Sequence, residues 1–470
     1  MTMEHIQVVI VGAGPAGLAA AAEASRAGAQ VVVLDEQPTP GGQYLRQRCP
    51  DVPQPDDAIS RAAEEIKATL LRDLFAHGVE IRTETSVWAA FAGDVLAVQT
   101  LQGSRIVHYE RLVVATGAYD RPVAFPGWTL PGVFTAGGAQ ALTKGYGVVP
   151  GRRVLVAGSG PFLFPAAVEL VRAGAEVVGV LEATTPFQWR SGLGSAWRHR
   201  ERVPEALHYF RLLRAARVPI RFGRVVTAAE GEGHVDGVMT ARVDTRWRPI
   251  AGTEERVAVD AVCVGFGFLP STELTRALAL QHQFDGLRGG WIPVHDADMQ
   301  TSAPQVFVAG EAAGIGSAQV ALLSGRLAGI AVARSLGLIS ARDAETRMAM
   351  VRPDYQHARD FADLILRTFA IRPGLLQLIT DNTLVCRCEE IAASRVRARA
   401  REWRDDLHGI KGALRIGMGQ CQGRNCGRLM TSLLSDALAT GEADLGMLSV
   451  RAPLKTISVA ALAGLELDDE

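Results

Sequence analysis

The segment Val8-Val9-Ile10-Val11-Gly12-Ala13-Gly14-Pro15-Ala16-Gly17 carries an apolar run into a G-x-G-x-x-G motif, and an alanine-rich run follows. Gly12 permits a tight turn from a strand into a helix, and Gly14 has no side chain to hold a pyrophosphate away from the backbone. Gly17 lets the helix pack closely on the strand, with the helix N-terminus facing the phosphates. The segment therefore predicts a strand–turn–helix unit that binds a dinucleotide.

A second apolar run, Val31 to Leu34, follows the predicted helix and ends in Asp35. An acidic residue about 20 residues beyond the glycine motif is where a ribose-binding carboxylate belongs. A glycine-rich turn in some other α/β protein is the competing interpretation. The strand, helix and acid together disfavour it.

The composition is that of an ordinary globular protein, with 470 residues, 48% hydrophobic, 21% charged and a formal net charge of −1. This length is enough for two or three domains, and the near-neutral charge gives no indication of nucleic acid as a partner. No stretch is apolar and long enough to span a bilayer, and a first strand at about Ile6 leaves no room for a signal peptide. We therefore expect a cytoplasmic protein, with any membrane association arising through a larger complex, and free cysteines rather than disulfides.

The opening pattern recurs. Val154 to Pro161 echoes Val8 to Pro15 at a constant offset, since 158 − 12 and 174 − 28 both equal 146. Such an internal repeat predicts a second nucleotide-type unit. In the copy Leu163 replaces the third glycine, Leu181 falls opposite Asp35, and Glu182 falls opposite Glu36. We favour a retained scaffold over a nicotinamide site, because these departures fall on ligand-facing positions.

The remaining pattern gives a coarse element map. The sequence predicts a helix over Ala58 to His77, a strand over Val79 to Val87, an aperiodic crossing segment over 120–151, a strand over Val257 to Val264, a short strand from Val306, a helix over Gly316 to Leu336 and a mostly helical connector over about 340–380.

Three motifs in this order resemble those of the two-dinucleotide-domain flavoproteins, the superfamily of the disulfide reductases: the opening G-x-G-x-x-G, then Ala115-Thr116-Gly117, then Val306-Phe307-Val308-Ala309-Gly310-Glu311. The resemblance implies bound FAD and an α/β fold with two Rossmann-like domains. It also implies a set of FAD-binding residues: Gly12, Gly14, Pro15, Ala16, Gly17, Asp35, Glu36, Gly42, Gln43, Thr116, Gly117, Gly310 and Glu311. Thr135 to Gln140 contains no cysteine where related reductases carry a redox C-x-x-C, so this flavin does not reduce a dithiol of its own chain.

Four of the six cysteines are clustered late in the chain, as Cys386-x-Cys388 and Cys421-x4-Cys426. Four thiolates on two glycine-rich loops suit a [2Fe–2S] cluster. Structural zinc and unligated buried cysteines are the alternatives. The C-x-C spacing disfavours zinc, and the regular pairing disfavours unligated thiols.

The cysteine stretch resembles the small bacterioferritin-associated-ferredoxin-like [2Fe–2S] domain, although its second pair is wider than the C-x2-C of the ferredoxin itself. Nearly the whole chain resembles the α subunits of heteromeric amino-acid dehydrogenases of the opine oxidase, D-hydroxyproline or proline dehydrogenase and hydrogen cyanide synthase type. The resemblance implies five segments: an FAD-binding domain in two parts (1–120 and 260–338), a second nucleotide-binding-like domain (121–259), a helical connector (339–383), and the [2Fe–2S] domain with the C-terminal tail (384–470).

The family also implies the partners. These are a flavoprotein β subunit that oxidises the amino acid, a small third subunit, an FMN between subunits, and a quinone-like or protein electron acceptor. We therefore predict that this chain is an electron-transfer subunit, and we assign no catalytic residue in it. A stand-alone NAD(P)H-dependent FAD reductase and an FAD-stabilised assembly scaffold are the two alternatives.

Overall fold

The computed structural model describes residues 4–49, 55, 57–189, 197–403 and 406–463; the last residues of the predicted C-terminal segment lie outside these ranges. The α-helices are α1 (Pro15–Arg26), α2 (Ala58–Ala76), α3 (Ala136–Tyr146), α4 (Leu163–Arg172), α5 (Pro186–Trp189), α6 (Val203–Ala215), α7 (Glu273–Ala277), α8 (Ala318–Ser335), α9 (Ala341–Thr368), α10 (Ala393–Trp403), α11 (Leu407–Leu414), α12 (Gly427–Leu438) and α13 (Val459–Ala463). Short 3₁₀ helices cover Trp197–Arg202, Gly310–Ala313 and Pro373–Leu378.

The strands are β1 (Glu4–Val11), β2 (Val31–Leu34), β3 (Glu80–Arg82), β4 (Ser86–Phe91), β5 (Val95–Thr100), β6 (Gly103–Val114), β7 (Ala118–Asp120), β8 (Val133–Thr135), β9 (Arg153–Gly158), β10 (Glu176–Glu182), β11 (Ile220–Phe222), β12 (Arg224–Glu230), β13 (Gly237–Arg242), β14 (Glu255–Ala258), β15 (Ala261–Gly265), β16 (Phe268–Pro270), β17 (His282–Asp285), β18 (Gly290–Pro293), β19 (Val306–Val308), β20 (Leu384–Cys386) and β21 (Ile391–Ala392).

Two parallel sheets form the frame. The first has the order β3-β2-β1-β6, with β19 also paired to β6 and with β5 and β4 added in antiparallel orientation. The second has the order β11-β10-β9-β15-β8 and is parallel throughout. The inner strands of both sheets, β1, β2, β9, β10 and β15, are mostly buried apolar runs, as strands covered on both faces require. The Rossmann-like α/β fold predicted from the glycine motifs is therefore confirmed.

The first sheet is closed by residues far apart in the chain. β19 pairs with β6 through Val306–Leu112, Phe307–Val113 and Val308–Val114. α8, which follows β19, lies against α1, and the backbone contact is so close that a Cβ on Gly325 would lie 2.1 Å from the Ala16 carbonyl oxygen. The N-termini of α1 and α8 consequently point to one region.

Three local predictions were wrong. The strand predicted over Val79 to Val87 is two strands, β3 and β4, separated where Glu84 adopts a φ of +50°. The strand predicted over Val257 to Val264 is divided between β14 and β15, which belong to different sheets. The segment 120–151 contains β8 and α3, whose glycine- and alanine-rich sequence carries little periodicity. The gap between the two cysteine pairs holds two helices, α10 and α11, and Asp406 caps the second by accepting from Gly409 N.

The long helix α9 joins the parallel sheets to a C-terminal unit of β20, β21 and α10–α12. This unit shares a buried apolar core with the second sheet and its antiparallel neighbour, where Trp128, Trp247, Leu375 and Val385 pack together. The Trp128 indole N–H donates to the Leu384 carbonyl at 2.6 Å. Within the described residues, no helix combines the length and apolar character that crossing a bilayer would need.

Candidate functional site

The glycine loop between β1 and α1 has no space for a side chain at Gly12 or Gly17. A Cβ on Gly12, whose φ is +109°, would lie 2.3 Å from the Ala115 carbonyl oxygen, and a Cβ on Gly17 would lie 1.8 Å from the Gly12 carbonyl oxygen. Gly42 approaches from the following loop, and its Cβ would lie 2.8 Å from the Gly14 Cα. The α1 N-terminus is therefore exposed as bare backbone, with Pro15 as its first residue.

Asp35 ends β2 beside this loop and holds it in place. Its carboxylate accepts from Ala13 N at 2.5 Å and from Gln37 N at 2.7 Å. Burial raises the pKa of Asp35, while the two backbone donors oppose that rise. The next residue, Glu36, is half-exposed and pairs with Lys455 from the C-terminal part of the chain.

The other side of the site is built by the loops after β6 and β19. Thr116 Oγ1 donates to the Ser271 carbonyl at 2.7 Å, which ties the Ala115-Thr116-Gly117 turn to the segment after β16. Gly310 has a φ of +69°, and its N–H donates to Ser324 Oγ at 2.9 Å. Glu311 follows in the 3₁₀ turn, and burial raises the pKa of its carboxyl.

These loops border one cavity of ≈ 2200 Å³. Of the residues predicted to bind FAD, Gly12, Gly14, Pro15, Ala16, Asp35, Glu36, Gly42, Gln43, Thr116, Gly117, Gly310 and Glu311 line it. Gly17 does not line it; it packs inside the loop, as the close approach of helix to strand requires. The cavity meets two helix N-termini, at Pro15 and at Ala318, which favours an elongated anionic ligand.

The second glycine loop corrects one inference. The constant offset placed Leu181 opposite Asp35 and predicted that the carboxylate was missing. In the structure β10 has an extra residue between Val177 and Gly179, which brings Glu182 level with Gly158. Glu182 accepts from Gly160 N at 2.9 Å and from Thr184 N at 2.8 Å, so it occupies the position that Asp35 has in the first unit.

The phosphate end of this second loop is altered nevertheless. α4 begins only at Leu163, which is 1% exposed and stands in place of the third glycine. The Trp189 indole donates to Thr184 Oγ1 at 2.8 Å, and its ring lies 5.7 Å from that of Phe369. Aromatic side chains thus lie beside the Gly160 loop, where a second nucleotide would have to bind.

The structure brings the four clustered cysteines together. Cys386 ends β20, Cys426 directly precedes α12 and lies between Cys386 and Cys421, and Cys388 is exposed. Glycine packs against the sulfur atoms: a Cβ on Gly419 would lie 3.3 Å from Cys388 Sγ.

The thiol group of Cys426 links two of the others. By hydrogen bonding it lowers the pKa of Cys386 to about 6 and the pKa of Cys421 to about 5, and its own pKa rises. Backbone N–H groups of Gly417, Glu389 and Cys388 add to the effect at Cys386. Cys386 and Cys421 therefore have thiolate character at neutral pH.

The contacts between the thiol groups run in series, from Cys386 to Cys426, from Cys426 to Cys421 and from Cys421 to Cys388. We define a compact ligand group as three or more His, Cys, Asp or Glu side chains whose ligand atoms all lie within 4.8 Å of one another. Among the residues that the structure describes, His199, Glu201 and His357 form such a group, and no three of the cysteines do. Four thiolates around one zinc would be about 3.8 Å apart.

Sequence reasoning did not find Tyr119, Arg424 or Lys455, which all line the cavity. Tyr119 lies two residues after the Ala115-Thr116-Gly117 turn, and this short separation was a usable signal. Arg424 lies within the second cysteine loop, and its guanidinium is 3.3 Å from the Glu273 carboxylate. Lys455 comes from so far along the chain that no local pattern could have indicated it.

Comparison with known proteins agrees with this geometry. Residues 6–325 match the model of the pyridine nucleotide-disulphide oxidoreductase family. The chain is 33% identical to the A subunit of opine oxidase from Agrobacterium tumefaciens (strain Ach5), over 98% of this chain and 92% of that protein. It is 31% identical to hydrogen cyanide synthase subunit HcnB of Pseudomonas aeruginosa, over 98% of this chain and 99% of that protein.

Among solved structures, L-proline dehydrogenase from P. horikoshii superposes with a TM-score of 0.68 at 21% identity, covering 98% of this chain and 80% of that chain. This likeness extends the shared fold past the two parallel sheets into the C-terminal unit. The chain belongs to the pyridine nucleotide-disulphide oxidoreductase family, and within it to the group that includes HcnB and the A subunit of opine oxidase.

Proposed function

We propose that this chain, as an oxidoreductase of that family, is the FAD- and [2Fe–2S]-containing subunit of a heteromeric amino-acid dehydrogenase and passes electrons from a catalytic partner subunit to an acceptor. The observation that carries the proposal is that residues of the second cysteine loop line the large cavity. Gln420 and Arg424, from the second cysteine loop, line the cavity together with Gly310 and Glu311.

Tyr119 strengthens this connection. It lines the large cavity and also a second cleft beside the cysteine loop, of ≈ 480 Å³. Burial raises the pKa of the Tyr119 phenol, and charges on Glu273 and Cys421 act in the same direction. The phenol stays protonated at physiological pH and fills the space between the two candidate cofactor sites.

The residues present fit FAD. Bare backbone at Gly12 and Gly14 and the α1 N-terminus would hold the pyrophosphate, and Asp35 and Glu36 lie where an adenosine ribose belongs. Gly310, Glu311 and the α8 N-terminus would hold the ribityl and isoalloxazine portion. Gly17 shapes the loop and makes no direct contact with the ligand.

The four cysteines fit a [2Fe–2S] cluster through Cys386, Cys388, Cys421 and Cys426. Glycine lets the backbone approach the sulfur atoms closely, and the surrounding backbone N–H groups stabilise thiolates. When bound, the flavin accepts electron pairs and the cluster carries single electrons. The protein contributes a partly exposed edge at Cys388, which would face the acceptor.

The partner assignment rests on the relatives. Two of them are named as subunits, of opine oxidase and of hydrogen cyanide synthase. We infer a flavoprotein β subunit that oxidises a CH–NH or CH–NH2 donor, a small third subunit, an FMN at the interface with the partner, and a quinone-like or protein acceptor. We also propose the domain division 1–120 with 260–338, 121–259, 339–383 and 384–470, and a cytoplasmic complex whose membrane association would come from other subunits.

The decisive experiment uses the purified complex with its partner subunit. In the wild type we expect FAD, two iron atoms and two sulfides for each copy of this chain. Cys421→Ser should keep substrate-dependent flavin bleaching without oxygen but lose dye-linked turnover and the iron signal. Cys49→Ser, at a cysteine outside the cluster, is the matched control and should behave as wild type.

Two results would contradict the proposal. An active complex free of iron would show that activity does not need a [2Fe–2S] cluster. Full dye-linked turnover in Cys421→Ser would leave the chain as a scaffold that only stabilises its partner.

A further inference from the structure

Two histidines and a glutamate meet at a place that the proposed electron path does not use. His199 and Glu201 lie on the 3₁₀ segment Trp197–Arg202, and His357 lies on the long helix α9. The two elements are far apart in sequence and come together only through the tertiary fold.

The three ligand atoms have short separations. His199 Nδ1 lies 3.3 Å from His357 Nε2, and His357 Nε2 lies 2.9 Å from Glu201 Oε1. The remaining separation, from His199 Nδ1 to Glu201 Oε1, is 3.9 Å. In a tetrahedral zinc site with bonds of about 2.0–2.1 Å, ligand atoms lie about 3.3 Å apart. The observed values bracket this separation.

Hydrogen bonding alone does not satisfy this arrangement. A single proton on His357 Nε2 can be donated to the Glu201 carboxylate. The lone pair of His199 Nδ1 then also faces His357 Nε2, which has no second proton to donate. A cation at the common centre would accept all three lone pairs at once. Imidazole nitrogen with one carboxylate oxygen is a ligand set that suits Zn²⁺ and other borderline divalent metals.

The surrounding residues hold His199 in place and leave the other two ligands accessible to solvent. His199 is 5% exposed, and its ring packs against Phe361 with a centroid separation of 5.1 Å. The side chains of Glu201 and His357 are each about half exposed, at 49% and 50%. A metal could therefore enter from solvent, and its fourth position would hold water.

We propose that His199, Glu201 and His357 form a site for Zn²⁺ or a similar divalent transition metal, which fastens the Trp197–Arg202 segment to α9. His199, Arg202 and Phe361 also line the large cavity, so the metal would fix one edge of that cavity. The site is separate from the four cysteines and does not depend on the proposed electron transfer.

Cobalt(II) provides the test, because its spectrum distinguishes the ligands. The purified full chain, with its own cofactors and after dialysis against a chelator, is titrated with Co²⁺ and then competed with Zn²⁺. We expect one equivalent with d–d bands and no thiolate-to-metal charge-transfer bands. His357→Ala should lower the affinity about 100-fold, since loss of even an outer-shell partner costs 10–100-fold.

His77→Ala is the matched control. His77 lies at the end of α2, which contributes nothing to the proposed site, and is partly exposed beside the Asp73 carboxylate. Its affinity should equal that of the wild type. Glu201→Gln changes an exposed carboxylate to an isosteric amide and should lower the affinity about tenfold even if histidine variants fold poorly. The proposal is overturned if the wild type binds cobalt only through thiolates, or if Glu201→Gln and His357→Ala both bind it as the wild type does.

Discussion

Gly12 and Gly28 share a left-handed backbone conformation and differ only in what surrounds them. Their φ values are +109° and +96°. A Cβ on Gly12 would lie 2.3 Å from a backbone oxygen, whereas a Cβ on Gly28 would have no atom within 4 Å. The pair therefore separates the cost of conformation from the cost of close packing.

We predict that Gly28→Ala destabilises the protein by about 1–2 kcal/mol, which is the cost of a left-handed conformation with a side chain. Gly12→Ala should cost at least about 3 kcal/mol and abolish FAD retention, because the Ala115 backbone would have to move. Urea denaturation and the flavin content after gel filtration measure both effects. Equal losses in the two variants would mean that the close packing at Gly12 is unimportant.

The cysteines give a second test at this scale. Cys421 is half-buried with a pKa lowered to about 5, chiefly by the Cys426 thiol, whereas Cys388 is exposed with a raised pKa. Because the thiolate is the nucleophile, reactivity at neutral pH should follow pKa rather than exposure.

In iron-free protein at pH 7, we predict that iodoacetamide modifies Cys421 faster than Cys388, as read by mass spectrometry of peptides. The rate at Cys421 should fall only as the pH drops toward about 5, where its thiolate is protonated. Faster modification of Cys388 would show that exposure dominates. Iron loading should protect both residues.

At the scale of elements, the chain after the cysteine unit returns across the first sheet. Leu454 is 3% exposed, its N–H donates to the Trp88 carbonyl at 2.6 Å, and its carbonyl accepts from Arg424 at 3.0 Å. The next residue, Lys455, pairs with Glu36 at the edge of the cavity. This returning segment connects the cysteine loop to the predicted adenosine end of the site.

We predict that Leu454→Ala weakens the attachment of this segment by about 2–3 kcal/mol, the usual cost of removing a buried leucine side chain. FAD should then dissociate faster, because Lys455 no longer holds Glu36. Val459→Ala is the control, since Val459 is 82% exposed and should change stability by less than about 0.5 kcal/mol. Unchanged flavin dissociation in Leu454→Ala would refute a role for the segment.

Across the whole molecule, two similar sheets have diverged in use. The first keeps the tightly packed Gly12 and Gly17, and the second has Leu163 at the third position with Trp189 and Phe369 beside its loop. Glu182 retains the carboxylate position and accepts from two backbone N–H groups as Asp35 does, but unlike Asp35 it does not line the cavity. This arrangement supports a scaffold rather than a nicotinamide site.

We therefore predict that the isolated chain loaded with FAD is not reduced by NADH. The flavin absorbance should persist for minutes after anaerobic mixing, because the crevice next to Gly160 is aromatic and α4 begins too late to hold a phosphate. Dithionite serves as the positive control. Bleaching by NADH within seconds would instead support a self-contained reductase.

The sequence alone determined the two Rossmann-like units and identified part of the cavity lining, including Gly12, Asp35 and Glu311. Glycines at fixed spacing, buried apolar runs and a repeat at constant offset act locally, so their consequences can be predicted without coordinates. The same reasoning identified the four cysteines as one group.

The tertiary structure alone decided the rest. The extra residue in β10 moved Glu182 into the place of Asp35, the returning segment brought Lys455 to Glu36, and α9 brought His357 to His199. Register and long-range contacts depend on how distant segments pack together, and neighbouring residues in the chain carry no record of that packing.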